Sequence, residues 1–319
     1  MAVYTEIHDD ELSPFIELYD IGSLLSYRGI AEGVENSNFL LHTRSGHYIL
    51  TLYEKRVREV ELPFFLSLMQ HLAKKSFPCP QPIAQTNGKL IGNLADRPAA
   101  IVSFLEGIWI RKPDVRHCAQ LGVAMAKLHN AAKDFKMQRK NSLSIEAWRP
   151  LWEATRGQVA ALHQDIEDSI ERELDFLENN WPDGLPIGVI HADLFTDNVF
   201  FIGDQLSGII DFYFACTDIL SYDIAITLNA WCFERDFSYN LTKGQALLSH
   251  YLSERQLHKR EIEAMPILAR GSAMRFFLTR LYDWFHTPAH SIVVKKDPLE
   301  YWRKLNFFQN ISAPSELGF

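Results

Sequence analysis

The sequence has no run of 18 consecutive apolar residues, and its first 25 residues lack a basic stretch followed by an apolar block. Neither a membrane span nor a secretory leader is expected, which points to the cytoplasm and to no membrane partner. Cysteine is scarce: Cys79, Cys118, Cys216 and Cys232 lie 39, 98 and 16 residues apart with no Cys-x-x-Cys pair. A disulfide framework or a zinc site is therefore not expected. Positive charge is short as well, with 32 Lys and Arg against 40 Asp and Glu and a formal net charge of −8. That argues against a nucleic-acid binder, whose counterion-release energy needs a basic face. Of the 12 histidines, His286 and His290 have helical ligand spacing, but Pro288 between them disrupts the helix that such a site needs. Also missing are internal repeats, Gly-x-x-x-x-Gly-Lys-Ser/Thr and Gly-x-Gly-x-x-Gly, the last because Gly29-Ile-Ala-Glu-Gly33 has the wrong spacing.

What remains is a chain rich enough to fold. At 47% hydrophobic and 12% aromatic over 319 residues it can fill a large core, and the length suggests about two domains or lobes. Residues 37–43 and 47–53 are strand-like runs separated by Arg44-Ser45-Gly46, the chemistry of a hairpin. Apolar residues Val60, Phe64, Phe65, Leu68 and Leu72 predict a helix over 57–75, ended by Phe77-Pro78-Cys79-Pro80. A short buried strand is expected over 99–105, and Glu106-Gly107 is the expected lobe boundary. Long helices then dominate: one over 114–135 with Cys118, Leu121, Met125 and Leu128 on one face, and one or two over 146–180. Short strands and tight turns fill 187–212. Helical patterns resume over 220–231, 245–252 and 261–285.

The chemistry concentrates in His191-Ala-Asp193-Leu-Phe-Thr-Asp197-Asn198, followed by Ile210-Asp211-Phe212. Phosphoryl transfer needs a carboxylate beside the attacking hydroxyl and two oxygen ligands for a magnesium ion on the phosphates. Asp193 can be the first, and Asn198 and Asp211 the second and third. His191 would shape the loop through hydrogen bonds. The pattern His-x-Asp-x-x-x-x-Asn arises by accident in on the order of one chain in a hundred of this length. Strand-like flanks and the later Ile-Asp-Phe make accident rarer still.

These stretches resemble the aminoglycoside phosphotransferase and choline kinase-like family of small-molecule kinases, and the resemblance covers most of the chain. It implies an α+β, bilobal, protein-kinase-like fold. A small β-rich nucleotide-binding lobe would occupy residues 1–105, and a helical catalytic and substrate-binding lobe residues 106–319. It implies ATP and Mg²⁺ as cofactors, with Asp193 as the catalytic-loop aspartate and Asn198 and Asp211 as the metal ligands. Ser103-Phe104-Leu105 falls where the family holds adenine through backbone groups, and the turn Gly33-Val-Glu-Asn36-Ser37-Asn38 where it covers the phosphates. Asp223, in Tyr222-Asp-Ile-Ala, matches the acid that buttresses the catalytic loop; an acid at a helix N-terminus is also favourable to the dipole.

One position departs from the family. A lysine that meets the phosphates and pairs with a helix glutamate is replaced by Thr51, and the matching glutamate is Glu61. Lys55, Arg56 or Arg28 could substitute, the subfamily could work without this charge, or the chain could bind nucleotide without catalysis. Tyr-Ile-Leu-Thr-Leu-Tyr-Glu around Thr51, Ala230-Trp-Cys-Phe233, Arg275-Phe-Phe-Leu-Thr-Arg280-Leu-Tyr-Asp283-Trp and Lys296-Asp-Pro298 resemble family members that phosphorylate the side-chain hydroxyl of L-homoserine, the step toward threonine. A zwitterionic acceptor needs a cation for its carboxylate, best an arginine, and an acid for its ammonium. Arg275 and Arg280 are five residues apart, about 140° around a helix, and cannot share a face. Arg280 and Asp283 can, as substrate contacts or as an intrahelical ion pair. Asp197 is a second candidate for the ammonium. Methylthioribose, choline or an aminoglycoside remain alternative acceptors, although residues 255–285 hold three acids against six bases, a balance unsuited to a polycation.

Overall fold

The computed structural model describes residues 5–30, 36–54, 58–287 and 295–319. The chain packs as two units, Met1–Gly107 with Ser207–Tyr213, and Ile108–Leu206 with Phe214–Phe319. The first unit ends at Gly107 and takes in seven residues from far along the chain. Ile209 N donates to the Pro78 carbonyl at 3.0 Å, and Ser207 Oγ to the Glu106 carbonyl at 2.7 Å.

In the first unit α1 (Asp9–Ile16) precedes β1 (Leu24–Gly29), β2 (Ser37–Thr43) and β3 (Gly46–Leu52). Then come α2 (Leu62–Lys74), β4 (Pro82–Ile83), β5 (Gly92–Leu94) and β6 (Arg97–Ser103). The strands form an antiparallel sheet in the order β1-β2-β3-β6-β4, with β5 also on β6. Alternation along β2 sends Phe39 and Leu41 inward to meet Leu50, Leu52 and Ile101 from the sheet and Leu12, Phe15 and Ile16 from α1. Gly46, at φ +135°, closes the β2–β3 hairpin. Helix α2 starts later than its periodicity predicts. Pro63 sets its first turn, a 3₁₀ turn at Glu59–Glu61 precedes it, and Val60 is left 79% exposed.

The second unit opens with β7 (Ile108–Trp109) and α3 (Val115–Ala131), followed by α4 (Ile145–Glu153), α5 (Arg156–Val159) and α6 (Ile166–Asn180). The stretch 146–180 is therefore three helices, broken around Thr155 and again before Ile166. Next are β8 (Ile187–Ile190), β9 (Val199–Ile202), β10 (Gln205–Ile209, which leads into the first unit) and β11 (Cys216–Ile219). β8 pairs antiparallel with β11, and β7 with β9. The chain ends with α7 (Leu220–Trp231), α8 (Leu241–Glu254), α9 (Lys259–Glu263), α10 (Met265–His286) and α11 (Pro298–Gln309). Pro266 separates α9 from α10, because its missing N–H suits only a helix start. Helix α7 is buried all round, and α10 packs on α7, α4 and α11. Asp114 caps α3, accepting from the N–H groups of Arg116 and His117 at 2.9 and 3.2 Å. Among the described residues no helix is long and apolar enough to cross a membrane.

Candidate active site

Strand β8 runs into His191, and the chain then turns sharply at Ala192, whose φ is +64°. A non-glycine residue holds this left-handed conformation only where its surroundings over-determine it. Here two buried charges do so. Asp223, in the first turn of α7, accepts from the backbone N–H of His191 and of Ala192, both at 2.9 Å. From α10, Arg275 Nη1 donates to the Ala192 carbonyl at 2.7 Å. One peptide neighbourhood is thus clamped from its donor side by a carboxylate and from its acceptor side by a guanidinium.

The clamp presents Asp193. Asn198, in the 3₁₀ turn Thr196–Asn198, donates its Nδ2 hydrogens to the Asp193 carbonyl at 2.8 Å and to Asp193 Oδ2 at 3.1 Å. That orients the amide and keeps Asn198 Oδ1, a neutral oxygen donor, out of these bonds. The fully buried His191 accepts from the Asp193 N–H through Nδ1 at 3.3 Å. Trp231 Nε1 donates to the Leu194 carbonyl at 2.9 Å. Burial raises the Asp193 carboxyl above its ordinary value, against the opposing charges of Arg275, His191 and Lys296. Burial pushes the Asp223 carboxyl up too, yet His129 and His191 hold it below its ordinary value.

His129 escaped sequence reading. It lies on α3 with Nε2 3.1 Å from Asp223 Oδ2 and Nδ1 2.8 Å from the Tyr251 hydroxyl on α8. Arg255 then donates to the Tyr251 hydroxyl and to the buried Glu261, each at 3.0 Å. This polar chain backs the clamp from 94 residues away in sequence, and no local motif announces it.

In the first unit Asp211 follows β10 with φ +62°. Two residues on, the Tyr213 hydroxyl lies 3.1 Å from that of Tyr53, and burial pushes it up to about 12. Thr51 donates to Asn38 Oδ1 at 2.8 Å. The position where the family has lysine is therefore filled by neutral, mutually bonded side chains. Glu61 pairs with Arg58 on its own turn. Ser37 donates to Glu54 Oε1 at 2.8 Å, and Asn36 Oδ1 accepts from the Glu54 N–H at 3.3 Å. Ser103 ends β6, bonded to Gln81, while the backbone groups of Leu105 make no hydrogen bond to another described residue. Arg28 is exposed on β1, and Gly33, Lys55 and Arg56 lie outside the described residues.

The substrate candidates separate. Arg275 is only 2% exposed and serves the catalytic loop, so the structure corrects its reading as a substrate contact: a guanidinium beneath the loop cannot also face solvent. Arg280 turns from Asp283 to Glu300 on α11 at 2.7 Å, because its long side chain reaches the neighbouring helix. Asp283 is half-buried, and the exposed Asp197 lies 3.9 Å from Lys296 Nζ.

A carboxylate held beside a neutral amide oxygen is a donor set of the kind phosphoryl transfer uses. Residues 26–257 match the model of the phosphotransferase enzyme family, and the chain belongs to that family. Within it, the chain is 60% identical over 318 residues to the homoserine kinases of Sinorhizobium medicae and Rhizobium meliloti, covering 100% of this chain and 98% of each relative. The fold is shared with solved kinases. An amicoumacin kinase in complex with AMP-PNP, Ca²⁺ and Ami superposes at a TM-score of 0.69 with 14% identity, over 97% of this chain and 93% of that one. A spectinomycin phosphotransferase in complex with ADP and spectinomycin superposes at 0.65 with 14% identity, over 99% and 98%.

Proposed function

We propose that the protein transfers the γ-phosphoryl group of ATP to the side-chain hydroxyl of L-homoserine, giving O-phospho-L-homoserine and ADP in the cytoplasm. The observation that carries this reading is identity to homoserine kinases of 60% along the whole chain, which includes the C-terminal helices where acceptor specificity is expected.

In this reading Asp193 aligns the acceptor hydroxyl and takes its proton as the new oxygen–phosphorus bond forms and the bond to the β-phosphate oxygen breaks. The proton then passes to solvent. Asn198 Oδ1 and the Asp211 carboxylate would be the oxygen donors for magnesium, an ion that uses one or two protein ligands together with phosphate and water. Bound there, the ion would neutralise phosphate charge. Asp223, Arg275 and His191 hold the loop and do no chemistry. Ser103 and Leu105 would offer backbone groups to adenine, and Gly33, Asn36 and Ser37 of the phosphate turn, together with Thr51 on β3, are assigned to the nucleotide. Arg280 and Asp197 are the groups assigned to the acceptor's carboxylate and ammonium.

The test is ATP consumption across homoserine, methylthioribose, choline and kanamycin, with wild type and Asp193→Asn. Turnover is expected with homoserine, and the variant should bind ATP normally while its kcat falls by roughly a hundredfold or more. Wild-type-like turnover in Asp193→Asn would remove Asp193 from the chemistry, and preference for another acceptor would replace homoserine.

A further inference from the structure

Arg280 belongs to a triad that the sequence does not announce. Its Nη1 donates to Glu300 Oε2 at 2.7 Å and to the Asp297 carbonyl at 3.2 Å. The other oxygen, Glu300 Oε1, accepts from Lys304 Nζ at 2.7 Å, and Lys304 also donates to the Asn229 carbonyl at 2.9 Å. Both cations lie 4.5 Å from the Tyr301 ring centroid.

Two cations share one carboxylate, so the triad carries a net charge of +1. Both cations are largely withdrawn from water, the Arg280 side chain 11% and that of Lys304 5% exposed, while Glu300 is 34% exposed. An uncompensated cation there is costly until an anion completes it. The guanidinium is prepared to receive one. Only Nη1 is engaged, and Nε and Nη2 donate to no described residue. That edge binds a carboxylate through two parallel hydrogen bonds. Burial pushes the Glu300 carboxyl up, but Lys304 and Arg280 bring it down to about 2, so it stays an anion and an acceptor.

The triad adjoins the catalytic loop. The Tyr301 ring is 5.2 Å from Phe276 and 6.4 Å from Phe195, which stands two residues after Asp193. The charges of both Arg280 and Asp193 act on the Tyr301 hydroxyl, which is buried and has no partner.

We propose that the free edge of Arg280 anchors the carboxylate of the acceptor, and that Glu300, backed by Lys304, is the positioning residue that fixes this edge and selects amino acids over amino alcohols. This rests on the preceding reading that the acceptor is homoserine. Glu300 does not touch substrate. Its replacement should therefore weaken only ligands that carry a carboxylate.

The experiment measures KM for homoserine and ATP, and inhibition constants for two fragments, in wild type, Glu300→Gln and Arg280→Lys. L-2-aminobutyrate keeps the carboxylate and lacks the hydroxyl, whereas 3-aminopropan-1-ol keeps the hydroxyl and lacks the carboxylate. Both variants are expected to raise the homoserine KM and the aminobutyrate constant by about tenfold, the scale of one charge-assisted contact. The ATP KM and the aminopropanol constant should stay within about twofold. Equal losses for both fragments, or unchanged constants, would overturn the triad's role while leaving homoserine phosphorylation intact. A wild-type enzyme that ignores homoserine would overturn the underlying reading and this proposal with it.

Discussion

At the scale of single residues, the site is a small number of charges placed against backbone. Asp223 accepts two N–H groups from the loop at 2.9 Å, so Asp223→Asn removes an anion from a buried position where nothing can replace it. We expect the variant to lose about 3 kcal/mol of stability at pH 7 and to show a kcat at least tenfold lower, as Asp193 loses its presentation. The pH dependence has a definite sign. The Asp223 carboxyl is held below its ordinary value of 3.8, so its stabilisation is fully present above that value and is lost as pH falls through the depressed one. The gap between wild type and variant in denaturation should therefore narrow on acidification below about pH 4; a gap that widens there would contradict the arrangement. Asp193, Asn198 and Asp223 were legible because a turn and a helix start are written in adjacent residues. His129 and Glu300 were not, since their partners lie 94 and 20 residues away.

At the scale of elements, two helices carry the polar chain behind the clamp, and their spacing depends on Gly122. A Cβ there would collide with the Leu247 carbonyl oxygen and crowd the Tyr251 backbone nitrogen, so α3 and α8 touch backbone to backbone. Gly122→Ala should separate them, costing about 2 kcal/mol through overpacking, and should lower kcat by pulling His129 from Tyr251. Gly157, on α5, has nothing within 4 Å of its missing Cβ, and Gly157→Ala should be neutral or stabilising by up to about 1 kcal/mol. Thermal melts and steady-state rates of both variants check the contrast; equal effects would show that helix propensity, not packing, governs Gly122. The hairpin and the helix Leu220–Trp231 could be read from periodicity, which local sequence writes plainly. The breaks within 146–180 and the late start of α2 could not, because proline and turn chemistry outrank the apolar pattern there.

At the scale of the whole molecule, the charge of −8 opposes an anionic nucleotide and is indifferent to a zwitterionic acceptor. Added salt screens long-range repulsion beyond about 10 Å at 0.1 M. We therefore expect kcat/KM for ATP to hold or rise between about 20 and 200 mM KCl; a severalfold fall would mean that local cations govern nucleotide approach.

By itself the sequence determined the class of chemistry and most of the order of strand and helix, because each depends on neighbours within a few positions. Only the tertiary structure decided that Ser207–Tyr213 joins the first unit, that Arg275 supports the loop, and that Arg280 meets Glu300. Those outcomes depend on which distant side chains share a dry space, where an unpaired charge is costly and the partner is whichever opposite group packing brings within reach.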